Sequence, residues 1–184
     1  MLFFKLLIMK KYIVIPVMFV LLVSITSCES WLDVKPKKMV EEEELFSREI
    51  GFKEALTAAY IKMANTNLYA ENLTFGFLDI LGQRYKLEAG SSTTLGYQDP
   101  LYYVFPSTQT ESITTTIWGK MYNIIADLNN LLHWADKNRN VFTTPDYYEV
   151  IKGEALGLRG FLHFDLLRMY GPIYKEHPDA KSIC

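Results

Sequence analysis

The chain has 184 residues, 49% of them hydrophobic and 22% charged, with twelve tyrosines, eleven phenylalanines and a formal net charge of −2. That length holds one domain of ordinary size, and the near-neutral balance supplies no basic field for a phosphate backbone, which argues against a nucleic-acid partner. Two cysteines, Cys28 and Cys184, cannot build a disulfide framework or a cysteine-rich metal site.

Lys10 and Lys11 precede a run, Tyr12 to Ile25, that is apolar apart from Pro16 and Ser24. This is the charged region and apolar core of a signal peptide, and it is short for a membrane span. The run closes on Ile25-Thr26-Ser27-Cys28, which resembles the lipobox of bacterial lipoproteins, where small residues before a cysteine let the signal peptidase cut and leave the thiol acylated. The resemblance implies that residues 1–27 are removed and that lipid on Cys28 holds the protein to a membrane. Two or three acyl chains suffice, since each buried methylene contributes on the order of 0.8 kcal/mol. The competing reading is a plain membrane anchor with an incidental cysteine. Met9, followed by two lysines, is a more natural start than Met1.

Residues 28–40 carry Pro36 and three lysines without an apolar period and read as a tether. The acidic run Glu41–Glu44 fits a helix amino terminus, where carboxylates meet unpaired amides and the positive end of the dipole. Phe52, Leu56, Ala59, Tyr60 and Met63 then recur at three and four, predicting a first long helix that ends near Asn65. From Thr66 to Glu111 the period is lost, with Pro100 and Pro106 as punctuation. A connection of that length usually carries function, and Tyr102–Phe105 is open to short strands or turns. Ile113, Ile117, Met121, Ile124, Leu128 and Leu131 form the stripe of a second long helix, with Trp118, Tyr122, Ile125, Asn129 and Leu132 beside it. A face this wide is buried against more than one neighbour. Thr144 and Pro145 read as N-cap and first-turn proline of a third helix, which runs to Tyr170 and is stopped by Gly171 and Pro172. The expected fold is mainly α, with helical hairpins and a long irregular loop insertion.

The third helix embeds Glu154, Arg159, His163, Asp165 and Arg168 among apolar residues, so partial burial with partners is expected. Asp165 and Arg168 are spaced to pair on one face, whereas Glu154 and Arg159, five apart, reach groups on other segments. Gly153, Gly157 and Gly160 share a stripe. Each costs about 1 kcal/mol against alanine, which predicts another backbone packed closely there.

The stretch Gly-Glu-Ala-Leu-Gly-Leu-Arg-Gly-Phe-Leu-His-Phe-Asp-Leu-Leu-Arg-Met-Tyr-Gly, from Gly153 to Gly171, resembles the signature helix of the SusD/RagB family. Trp118, Tyr122, Asn129 and Asn130 match that family's preceding helix, and Trp31-Leu32-Asp33-Val34 matches its opening after the lipid cysteine. The resemblance implies an outer-membrane lipoprotein on the surface of Bacteroidetes-type bacteria. Such a protein captures glycans or peptides and passes them to a SusC-like TonB-dependent transporter. It further implies helical hairpins similar to tetratricopeptide repeats, with residues 41–184 as the amino-terminal helical domain. Trp118, Asn129, Gly153, Glu154, Arg159, Asp165 and Arg168 form its structural signature. Family members are much longer than this chain, so the resemblance also implies a truncated portion lacking much of the binding half.

His133, His163 and His177 show no HExxH spacing and no cysteine companions. No nucleophile elbow, phosphate loop or dinucleotide fingerprint occurs, and no catalytic residue, cofactor or metal is assigned. A histidine amid apolar helix residues is ordinarily hydrogen-bonded in a core. A glycosidase, with paired acids across a glycosidic bond, is the enzymatic alternative, but Glu154 and Asp165 lie beside basic residues, which favours charge pairing. Sugars need aromatic faces under their C–H surfaces and fixed polar groups for their hydroxyls, and the long loop supplies both. By resemblance to the family, where an acid and an arginine of this stretch and loop aromatics contact ligand, Asp79, Arg84, Tyr97 and Tyr102 are the candidate ligand-binding residues. The competing reading has the tyrosines only covering the helices. The leading expectation is capture and handover of a solute without bond cleavage; the second is a scaffold that contacts the transporter and binds no ligand.

Overall fold

The computed structural model describes residues 42–86 and 96–181. The signal segment, Cys28, the tether, Trp31–Val34, Cys184 and part of the long loop lie outside the described residues. Helix α1 is Glu42–Leu45, α2 Glu49–Met63, α3 Phe77–Leu81, α4 Gln98–Leu101, α5 Thr108–Lys137 and α6 Tyr147–Tyr170, with a 3-10 turn at Arg139–Val141. Among the described residues there is no strand, and no helix is long and apolar enough to cross a membrane. The fold is mainly α, with helical hairpins of the tetratricopeptide kind.

Helix α5 is 30 residues long and begins where Ser107 Oγ accepts from the Thr110 amide at 3.2 Å. It therefore starts before Glu111, and the irregular segment is shorter than the lost period suggested. Ile117, Met121, Ile124, Leu128 and Leu131 are fully buried along its stripe, with Ile125 and Leu132 beside them. Each contributes about 2 kcal/mol by leaving water. The width of this face is explained by two neighbours. Lys62 of α2 bonds Asn123 and Asp127 of α5, while Asp136 and Asn129 of α5 accept from Lys152 and Arg159 of α6. With Asn138 at the end of α5 donating to Phe46 O just before α2, those pairings run α5 antiparallel to both. On the α2–α6 side, Tyr60 donates to Glu154 and Glu49 accepts from Thr143 and Thr144, so α2 and α6 run parallel.

The acidic run does stand at a helix amino terminus: Glu42–Glu44 open a one-turn helix of their own, separated from α2 by Phe46–Arg48, and the acid in the first turn of α2 is Glu49. Two local expectations are corrected. Thr144 and Pro145 do not open α6, which starts at Tyr147 after Asp146 at φ 61°. The reason is Glu49: its Oε2 takes the amides of Thr143 at 2.6 Å and Thr144 at 3.0 Å and the Thr143 hydroxyl at 3.1 Å, fixing them in the connection. Finally, no backbone among the described residues packs on the glycine stripe. A Cβ at Gly153, Gly157 or Gly160 would meet nothing within 4 Å, and Val150, Phe161, Phe164 and Leu167 on that side of α6 are exposed. The end of α6 was read correctly: the Gly171 amide bonds Leu167 O, and a Cβ there would lie 2.5 Å from that oxygen.

One end of the bundle is plugged by aromatics. Phe46 lies 4.9 Å from Phe52 and 5.7 Å from Trp134, and Phe52 lies 4.6 Å from Phe142. Asn138 Nδ2 closes it further by donating to Phe46 O at 3.0 Å.

The glycines separate into two kinds that stability measurements distinguish. A Cβ on Gly51 would fall 1.8 Å from Leu45 O, so Gly51→Ala is expected to cost about 2–3 kcal/mol by overpacking. Gly157→Ala, with open space, should instead stabilise by about 0.5–1 kcal/mol; denaturant midpoints of the two proteins check the contrast. Hydrogen bonds from Thr144 first and Thr143 second hold the Glu49 carboxyl down from 4.5 to about 2. A depressed folded-state value means this stabilisation is complete above the ordinary value and is lost as pH falls from about 4.5 towards 2. Glu49→Gln should accordingly flatten the pH dependence of the unfolding midpoint in that window and leave its slope above pH 5 unchanged.

Candidate ligand-binding site

Where α5 begins and α6 ends, the bundle is not plugged. Phe77, Leu78 and Leu81 of α3, Thr114 of α5, and Met169 and Tyr170 of α6 line a cavity of about 390 Å³, together with Phe105, Asp165 and Arg168. The polar part is ordered by α6 itself. Arg168 Nη1 donates to Asp165 Oδ1 at 2.9 Å, and the Tyr69 hydroxyl donates to Asp165 Oδ2 at 2.9 Å. The Asp165 side chain is only 14% exposed, whereas that of Arg168 is 59% exposed and reaches solvent. Burial, then the Asp165 carboxylate, raises the Tyr69 phenol far above its ordinary value, which keeps it a proton donor. The Tyr170 hydroxyl donates to Thr114 O at 2.6 Å, and burial pushes its phenol up to about 12. Trp118 meets the Tyr170 ring edge-on at 4.9 Å and Tyr122 at 4.8 Å.

Beside the cavity two turns clasp each other. Gln83 Nε2 donates to Leu101 O at 2.6 Å, and the Tyr103 hydroxyl donates back to Leu81 O at 2.5 Å. Both residues sit at φ 55°, a left-handed conformation that non-glycine residues adopt only where surroundings enforce it. Tyr102–Phe105 is therefore turn, not strand. Its aromatics are displayed: Tyr102 is 73% exposed and Phe105 53%.

The residues singled out in the sequence are distributed as follows. Asp79 and Arg84 come together on α3 and the turn after it, with Arg84 Nε 3.5 Å from Asp79 Oδ1. Tyr102 stands on the facing turn of the clasp. The Tyr97 hydroxyl is shared between Glu71 Oε1 at 3.0 Å and Asn72 Oδ1 at 2.9 Å, and burial, then Glu71, pushes it up to about 12. Of the signature residues, Glu154 accepts from Tyr60, Arg159 donates to Asn129 Oδ1 at 2.8 Å, and Asp165 pairs with Arg168. His163 lies edge-on to Tyr122 at 6.2 Å. Among the described residues no group of three or more His, Cys, Asp or Glu side chains converges. Sequence reasoning missed Phe77, Leu81, Phe105 and Met169 as cavity residues. The short apolar run Phe77–Leu81 inside the aperiodic segment was the one signal that could have pointed to them.

Among the described residues these features make up a helical module with an apolar cavity, two acid–arginine pairs and displayed aromatics. A family model described as starch-binding associating with outer membrane, SusD-like, matches residues 30–182, and the chain belongs to that family. Neither the curated proteins nor the solved structures gave a match.

Proposed function

We propose that this chain is a surface-exposed outer-membrane lipoprotein that captures glycans, or peptides, and delivers them to a SusC-like TonB-dependent transporter without cleaving them. In this reading residues 1–27 are the signal peptide, lipid on Cys28 is the anchor, residues 28–40 are the tether and residues 41–184 the SusD-like helical domain. The observation that carries it is the apolar cavity bordered by Phe105 and Arg168, next to the exposed Tyr102 and the Asp79–Arg84 pair. Aromatic faces cover the C–H surfaces of a sugar, and guanidinium and carboxylate groups hold its hydroxyls. Capture without cleavage fits the engagement of the nearby carboxylates, Asp79 with Arg84 and Asp165 with Tyr69 and Arg168. Tyr97, whose hydroxyl is held by Glu71 and Asn72, ties its end of the loop to the turns after α2.

Calorimetric titration of the soluble chain with maltoheptaose and with a mixed dipeptide set tests the capture step. Maltoheptaose should bind, and Tyr102→Ala together with Phe105→Ala should weaken it about ten-fold, the scale of lost aromatic contact. No heat from either probe, with the helical spectrum intact, favours the scaffold reading, and reducing sugar released from maltoheptaose favours the glycosidase. The anchor is tested by Cys28→Ser, which should move the protein from the membrane fraction to the soluble one and end incorporation of labelled palmitate.

A further inference from the structure

A second recess, also of about 390 Å³, lies between the end of α2 and the middle of α5 and shares no residue with the aromatic cavity. Lys62, Asn65, Gly119, Lys120 and Asn123 line it. Gly119 leaves it open, since a Cβ there would meet nothing within 4 Å.

The hydrogen-bonding groups of its wall are unequally committed. Asn65 Oδ1 accepts from the Asn67 amide and from Asn67 Nδ2, each at 3.0 Å. Asn123 Oδ1 accepts from Lys62 Nζ at 3.0 Å, and Asp127 Oδ2 takes the same ammonium. A backbone amide and an ammonium can only donate, so these contacts fix which end of each side-chain amide is oxygen. Asn65 Oδ1 thus has both lone pairs engaged and Asn123 Oδ1 one of its two, so what these side chains have left to offer is mostly the donor Nδ2 groups. Lys120 is half-buried, and among the described residues no carboxylate pairs with it. Two ammonium groups against the single Asp127 carboxylate leave one positive charge in excess.

We propose that this recess is a second binding site, for a single carboxylate carried on a sugar ring, as in a hexuronate. A carboxylate only accepts, so it satisfies Asn65 Nδ2, Asn123 Nδ2 and Lys120 Nζ together and neutralises the excess charge. A neutral hexose hydroxyl can also accept from these donors, but it brings no charge to neutralise the excess. The volume exceeds what an inorganic anion fills and suits a small organic ligand. The site stands independently of the aromatic cavity, so failure of maltoheptaose binding there says nothing about it.

The test is titration of the full chain with galacturonic acid, galactose, sodium acetate and sodium sulfate at low and high salt. Galacturonate should bind about ten-fold tighter than galactose, the scale of one charged hydrogen bond, and weaken as salt rises. Lys120→Ala should lose about that factor and Lys120→Arg should keep most of it. Gly119→Leu should abolish binding by filling the recess while its thermal midpoint stays at or above that of the parent. Equal affinity for galacturonate and galactose overturns the proposal, as does parental galacturonate binding in Lys120→Ala. Acetate and sulfate binding as tightly as galacturonate overturns the sugar assignment and leaves a site for free anions. Should Gly119→Leu fail to fold, the Lys120→Ala and Lys120→Arg pair decides alone.

Discussion

The position of α6 is set by three polar ties, and the rest of the structure depends on them. Glu154 accepts from Tyr60 of α2, Arg159 reaches Asn129 of α5, and Asp165 accepts from Tyr69 in the turns after α2. The Tyr60–Glu154 and Arg159–Asn129 contacts are exposed and contribute little energy, on the order of 0.2–1 kcal/mol each, while the Tyr69–Asp165 bond is part-buried. What they supply is register. The apolar residues that α6 buries are Ile151, Ala155, Leu162 and Leu166, a stripe narrow enough that sliding by one turn would still bury something greasy. Three ties to three different segments are met together in one alignment only.

That alignment determines what each end of the bundle becomes. At the start of α6, Glu49 holds the Thr143–Thr144 connection and brings Phe142 onto Phe52, so aromatic rings close the core. At its far end Asp165 is bonded to Tyr69, which leaves Arg168, one turn on, directed away from the core and 59% exposed. The same helix thereby seals one end with rings and furnishes the other with an ionic group beside an apolar cavity. The clasp of Gln83 and Tyr103 completes the open end, because two turns locked by reciprocal side-chain bonds can keep Tyr102 and Phe105 in water, where a freer chain would collapse them onto the cavity.

The long helices were legible in the sequence because their burial is periodic. The α5 stripe from Ile117 to Leu131 and the stop at Gly171 follow from spacing and from proline and glycine chemistry alone. The roles of Glu154, Arg159, Asp165 and Arg168 were legible for a related reason: spacing along a helix says which charges can meet and which must look elsewhere. What failed were inferences about neighbours. Three glycines on one side of α6 say that a close approach is allowed, not that one is made, and nothing among the described residues approaches them. The start of α6 was misplaced because Thr144 is claimed by Glu49, about 95 positions earlier in the chain, a competition no local pattern can reveal. The cavity was invisible for the same reason, since Phe77, Phe105, Thr114 and Met169 come together only once α5 and α6 are in register.

The two recesses differ in chemistry because they arise at different places on the scaffold. The aromatic cavity forms at helix ends, where turns contribute backbone carbonyls and rings, and its charges come as compensated pairs, Asp165 with Arg168 and, on the adjoining turn, Asp79 with Arg84. Paired charges offer donors and acceptors together, which matches a polyhydroxylated neutral molecule. The recess between α2 and α5 lies between the last turn of α2 and the flank of α5, and its polar groups are mainly side chains. There Lys62 takes up oxygens of Asn123 and Asp127, and Asn67 takes up that of Asn65, so the wall is weighted towards donors. With Lys62 compensated by Asp127, Lys120, unpaired among the described residues, supplies the charge in excess on this flank, whereas the charges of the aromatic cavity stand in pairs.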